Sequence, residues 1–117
     1  MRTLDVIKGT NIQYFSPELL FLAQSGQPYR GCVYIHFESV GQSIDLRDIK
    51  AYITSLRSQK FIAENIAHEI YQKIQAHIKT KDLGVIVDLS ARGGIQQRIS
   101  FGVLFDVVKK NNVFQIN

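Results

Sequence analysis

The chain reads as an α+β domain, an antiparallel sheet covered on one face by a pair of helices. Three observations predict this. "GCVYIHFES" (31–39) alternates like a strand with one face on a core. Residues 45–58 and 60–80 repeat apolar side chains at three- and four-residue steps, the period of amphipathic helices. "LGVIVDLSA" (83–91) and residues 95–103 then return to strand character. Strands and helices thus come in runs rather than in βαβ alternation, which favours an antiparallel sheet. With 117 residues, 45% hydrophobic and 21% charged, the chain suits one domain spanning 1–117.

Taken in order, residues 15–24 read as a half-apolar loop that ends in a polar kink, Ser25-Gly26-Gln27-Pro28. In the strand that follows, Val33, Ile35 and Phe37 form the core-facing set and Cys32, Tyr34 and His36 the opposite one. "VGQS" marks a turn. Helix 45–58 buries Leu46, Ile49, Tyr52, Ile53 and Leu56 behind Asp45 as N-cap. Helix 60–80 carries Ile62, Ile66, Ile70, Ile74 and Ile78 at strict four-residue spacing. Lys79 and Lys81 fall near its end, where cations suit the helix dipole. The apolar density of 83–91 suggests a central strand. After it, 95–103 reads as a strand. The tail stays open between helical spacing (Phe101, Leu104, Phe105, Val108) and the β-prone "VLFDVV".

Charge and cysteine use narrow the function classes. The net charge is +4, but the 14 basic residues are scattered, so nucleic acid is not an expected partner. A single cysteine, Cys32, rules out an intrachain disulfide or a Cys-cluster metal site and suits a reducing compartment. The first residues lack a signal-peptide apolar core, and no apolar run reaches membrane-spanning length. The expectation is a cytoplasmic protein with no membrane partner. His36, His68 and His77 lack metal-type spacing, and no phosphate loop or nucleophile elbow is present.

Three features carry candidate chemistry. Glu64, one turn into the second helix and one four-residue step from His68, is either a solvated surface residue or a carboxylate for a flat heterocycle. In the second role it would accept paired N–H bonds. Arg92-Gly93-Gly94 is either a glycine-assisted turn or a phosphate contact. Cys32 is a small buried hydrophobe or a nucleophile.

Read together, Pro17-Glu18, Ser25-Gly26-Gln27-Pro28, Tyr34-Ile35, Tyr52-Ile53-Thr54-Ser55-Leu56-Arg57, Phe61 to Glu64 and Arg92-Gly93-Gly94-Ile95 resemble, in order, motifs of one family. It is the 7-cyano-7-deazaguanine reductase (QueF-like) family of queuosine biosynthesis, and the resemblance covers about residues 12–99. Ile62 to Ala67 is more distantly similar to GTP cyclohydrolase I. The resemblance implies the tunnelling (T-) fold: a four-stranded antiparallel sheet with two helices between its second and third strands. Members of that fold assemble into a β-barrel with sites between subunits. It also implies a homo-oligomer that binds a purine- or pterin-like ring through Glu64, with Ser25, Gln27 and Ser55 as further substrate contacts. Arg92, Gly93 and Gly94 are the implied cofactor contacts, and NADPH is the cofactor the family suggests.

The chain departs from the family at the reacting positions. Leu22-Ala23-Gln24 stands where the reductases place a nucleophilic Cys, Tyr29 where they place an Asp, and Ile62 or Ala63 where they place a His. The metal ligands of the cyclohydrolases are also missing. Catalytic residues are therefore unassigned. Three readings follow: a heterocycle-binding protein without thioimide chemistry, an active enzyme using other residues or a partner subunit, and a structural oligomer.

Overall fold

A computed structural model describes residues 1–107. Four strands pair antiparallel in the order β2-β3-β5-β6: β2 (Asn11–Leu22), β3 (Pro28–Ser39), β5 (Thr80–Arg92) and β6 (Ile95–Gly102). Two further short strands, β1 (Thr3–Asp5) and β4 (Gln42–Ile44), form a separate ribbon. Between β4 and β5 lie α1 (Leu46–Ser55), a 3₁₀ turn (Leu56–Ser58), a second 3₁₀ turn (Ala63–Asn65) and α2 (Ile66–Gln75). This is the α+β arrangement that the order of periodicities predicts. No helix among the described residues is long and apolar enough to cross a membrane.

Alternation explains which face is covered. Val33, Ile35 and Phe37 of β3 and Val85, Val87 and Leu89 of β5 all join the buried core. Ile49, Ile53 and Leu56 pack on them from the first helical segment, and Ile66, Ile70 and Ile74 from α2. The last three are 0% exposed, so the isoleucine spacing does mark the buried stripe of α2.

The structure corrects three expectations. Residues 15–22 are not a loop but the last two thirds of β2. Their alternation is hidden by a bulge, because Ser16 pairs with Val33 and Leu19 with Gly31, leaving Pro17 and Glu18 opposite Cys32 alone. Proline has no N–H for a ladder, so a bulge on an edge strand is where it fits. The extra residue returns Leu19 and Phe21 to the core side, at 2% and 0% exposure.

The second helix is shorter than 60–80. Its first residues stay extended because their backbone is engaged elsewhere: Leu22 N–H donates to Gln59 C=O at 2.9 Å, and Phe61 N–H to Leu22 C=O at 2.8 Å. Ile62 is consequently 52% exposed, while Ile78 lies beyond the helix yet is buried. Lys79 and Lys81 do not face a helix end, since Lys81 already belongs to β5, and Lys73 is the cation of the last turn. In the tail, Phe101 belongs to β6 and meets the His68 and Tyr71 rings edge-on at 4.6 and 4.9 Å. Leu104 and Phe105 are in no helix, and Val108 lies outside the described residues.

Asp45 caps α1 as expected, accepting from the Arg47 backbone N–H at 2.9 Å and from its guanidinium. The Arg47 guanidinium, then its N–H, holds the Asp45 carboxyl down to about 2. A folded-state value below the unfolded one contributes stability above the unfolded value, and that contribution is lost as pH falls through the folded value. The melting temperature should therefore drop as pH falls from 3.8 towards 2, and Asp45→Asn should flatten that slope. Thermal circular dichroism from pH 6 to pH 2 measures it; an unchanged slope in the variant would exclude Asp45 as its source.

Candidate functional site

Two hairpin turns and the start of the second helical segment meet at one end of the sheet. The β2–β3 turn closes through Ala23 N–H to Gln27 C=O at 2.7 Å and Gly26 N–H to Ala23 C=O at 2.9 Å. The β5–β6 turn is the two-residue loop Gly93-Gly94, with φ of +60° and +82°. Positive φ at both central positions is the demand of a tight hairpin turn, which glycine meets without strain. No atom lies within 4 Å of where a Cβ would stand at either position, so the turn itself explains this pair.

A second bulge aims Arg92. Leu89 pairs with Gln97 and Arg92 with Ile95, so Ser90 and Ala91 oppose Gln96 alone. Without the extra residue Arg92 would fall on the face away from the helices; with it, Arg92 shares the face of Ile95 and Gln97. There its Nη2 donates to Gln27 Oε1 at 2.6 Å, and its guanidinium lies 4.3 Å from the centre of the Tyr29 ring. Tyr29 stacks on Phe21 (5.2 Å, 22°), and Phe21 meets Phe61 edge-on at 5.9 Å. A stacked layer thus runs from Phe21 through Tyr29 outward to Arg92 and Gln27, with the partly buried Phe61 edge-on at its inner end.

Glu64 lies at the same end of the sheet. It lies in the 3₁₀ turn before α2, not one turn inside the helix, and it is exposed. Its Oε2 accepts from Gln97 Nε2 at 2.9 Å. Gln97 is two residues along β6 from Ile95, the partner of Arg92, so the two groups are roughly 7 Å apart along the strand. His68 is not Glu64's hydrogen-bond partner; its Nε2 meets the Gln72 amide at 3.1 Å.

Gln27, Arg92, Gly93, Gly94 and Glu64 therefore share one end of the molecule, with Ser25 in the same turn as Gln27. Ser55 does not join them. Its hydroxyl donates to Tyr52 C=O at 2.6 Å, and it lines a separate open groove of about 680 Å³ with Arg2, Asp48, Lys73 and His77. The reason is helical geometry, since Ser55 falls on the side of α1 turned toward the far half of α2. Gln97 is the site residue that sequence reasoning missed. Alternation can place it on the helix-facing side of β6, but nothing in its neighbourhood names Glu64 as its partner.

Cys32 lies on the other face of the sheet. It lines a groove with Pro17, Glu18, Arg30, Arg57 and Asp88, and burial pushes its thiol up, which disfavours the thiolate. Burial likewise pushes the neighbouring Tyr34 hydroxyl up to about 12. Arg98 grips Asp88 on that face through bonds of 2.6 and 2.8 Å. Glu18, on the first bulge, meets Arg57 at 3.6 Å.

The Arg92 contacts face solvent, where a hydrogen bond and a cation–π contact each contribute no more than about 1 kcal/mol. Arg92→Ala should therefore lower stability by about 2 kcal/mol or less, read from urea unfolding. A loss above about 2 kcal/mol would mark Arg92 as a structural staple instead of a free functional group.

Comparison with known proteins concerns the chain as a whole. The model of a family described as QueF-like protein matches residues 28–103. An NADPH-dependent 7-cyano-7-deazaguanine reductase of Sulfurimonas denitrificans is 31% identical over 72 residues, 62% of this chain and 58% of that protein. The protein of the same name from Thermotoga maritima is 31% identical over 81 residues, 68% of this chain and 59% of its own length. The chain thus spans less than two thirds of these relatives. Among solved structures, the apo form of the archaeosine synthase QueF-Like matches with a TM-score of 0.71 at 14% identity, covering 84% of this chain and 95% of that one. That likeness concerns the fold.

Proposed function

The chain belongs to the QueF-like protein family, and on that footing we propose that it binds a purine- or pterin-like heterocycle in the 7-deazaguanine pathway. Glu64 is the ring's anchor. One observation carries the reading: a solvent-facing carboxylate, steadied by Gln97, at the same end of the sheet as the stacked layer capped by Arg92 and Gln27. An ionised carboxylate only accepts, and its two oxygens match two adjacent N–H donors on a planar ring. The Arg92 guanidinium on Tyr29 offers such a ring a flat cationic neighbour.

The proposed role is binding without thioimide formation. Nitrile reduction through a thioimide needs a thiolate beside the ring. The turn 23–27 contains no cysteine, and Cys32 faces the opposite side of the sheet. NADPH, named for the relatives, supplies hydride when bound. Arg92 and the Gly93-Gly94 turn are the groups suited to meet its phosphates, as a cation beside two backbone N–H groups.

A homo-oligomer is part of this reading. Among the described residues the outer edge of β6 has no strand partner, and that of β2 has only the single bridge from Leu22 to Lys60. Open edges of this length are commonly closed by another chain. Sedimentation should give a multiple of the 13.3 kDa chain mass, and a purely monomeric species would remove the assembly from the proposal.

Binding is tested by differential scanning fluorimetry with 7-cyano-7-deazaguanine, guanine and pterin. At least one should raise the melting temperature, and Glu64→Ala should weaken that ligand by tenfold or more, the scale of a lost charge-assisted hydrogen bond. If none of the three stabilises the wild-type protein, the binding reading fails.

A further inference from the structure

Glu64 and Gln97 come from elements 33 residues apart in sequence, and their side chains meet at 2.9 Å. Neither is held by the core: Glu64 is exposed and Gln97 half-buried. A surface hydrogen bond of this kind adds little to stability. Its geometric consequence is larger. Because an ionised carboxylate cannot donate, the end of the Gln97 amide that faces it is the NH₂ group. That bond occupies one lone pair of Oε2 and opposes rotation of the carboxylate about its last torsion, which is otherwise broad. Glu64 Oε1 then stays free to accept.

We propose that Gln97 is a positioning residue that sets the ring specificity of the site, an inference that rests on the heterocycle-binding reading above. With Glu64 oriented by one of the two Gln97 N–H groups, the pair offers a bound ring more acceptors than donors: the carboxylate oxygens and the amide carbonyl of Gln97, against the one remaining amide N–H. A ring edge carrying several adjacent N–H donors satisfies them, as does the ring N–H plus exocyclic amine of a 2-amino-4-oxopyrimidine. A ring of the same shape without the amine leaves acceptors unmet, and a site built for a donor penalises a ligand that lacks it. A carboxylate free to rotate discriminates less, because its oxygens can turn toward water when the second donor is missing.

Guanine and hypoxanthine differ by that amine alone and serve as the probes. Their affinities are measured by equilibrium dialysis for the wild-type protein, Gln97→Leu, which keeps bulk and removes the donor, and Gln97→Glu, which sets two carboxylates against each other. The wild-type protein should favour guanine by tenfold or more. Gln97→Leu should bring the ratio to within about threefold at an unchanged melting temperature, and Gln97→Glu should weaken guanine further, since like charges in contact repel. A purely structural role would lower both affinities together and leave the ratio intact. An unchanged ratio in Gln97→Leu overturns the inference while the binding reading stands. Failure of the wild-type protein to bind either base overturns the inference, and the premise falls with it only if 7-cyano-7-deazaguanine and pterin also fail to bind.

Discussion

The arrangement of the site depends on one constraint, the inside–outside alternation of antiparallel strands, and on the two bulges that interrupt it. A residue added to one strand moves every later side chain to the other face. The Pro17-Glu18 bulge returns Leu19 and Phe21 to the helix side, and the Ser90-Ala91 bulge does the same for Arg92. Because of both, Phe21, Tyr29 and Arg92 stack on one face. Losing either extra residue would set half of that layer on the opposite side of the sheet. Bulges near functional ends serve to re-aim side chains, and here they do so from both hairpins.

The same alternation separates two chemistries. The helix-facing side holds the apolar core and, at its end, the solvent-facing polar pairs Arg92–Gln27 and Gln97–Glu64. The opposite side holds Cys32, Tyr34, Asp88 and Arg98, where burial raises both the thiol and the phenol and the guanidinium is committed to Asp88. A nucleophile is therefore disfavoured on the side that has the cysteine, and the side with the polar pairs has no thiol in its turn. Tyr29 contributes to the ring layer on the side with the polar pairs.

Much of the fold was legible because periodicity is local. The strand 31–39 and the Ile66, Ile70, Ile74 stripe follow from a few neighbouring residues, as do the Asp45 cap and the Gly93-Gly94 turn. The misreadings share a non-local cause. Residues 15–22 look like a loop because a bulge breaks their alternation, and residues 60–62 look helical although their backbone bonds to Leu22 hold them extended. The isoleucine repeat continues past both helix ends, so spacing alone overstates the helix. Of the candidate site residues, Gln27, Arg92 and Glu64 converge, whereas Ser55 lies on another surface.

By itself the sequence determined the α+β class, the face of each strand between bulges and the residue types at the site, because these depend on side-chain period and turn chemistry. The ordered motifs also pointed to the QueF-like family. Only the tertiary structure decided that Arg92 lies over Tyr29, that Gln97 holds Glu64, and that Cys32 faces away from both. The physical reason is that each of these facts depends on register between segments distant in the chain. A register shifted by one residue reverses every face, and no local pattern of apolar and polar residues records it.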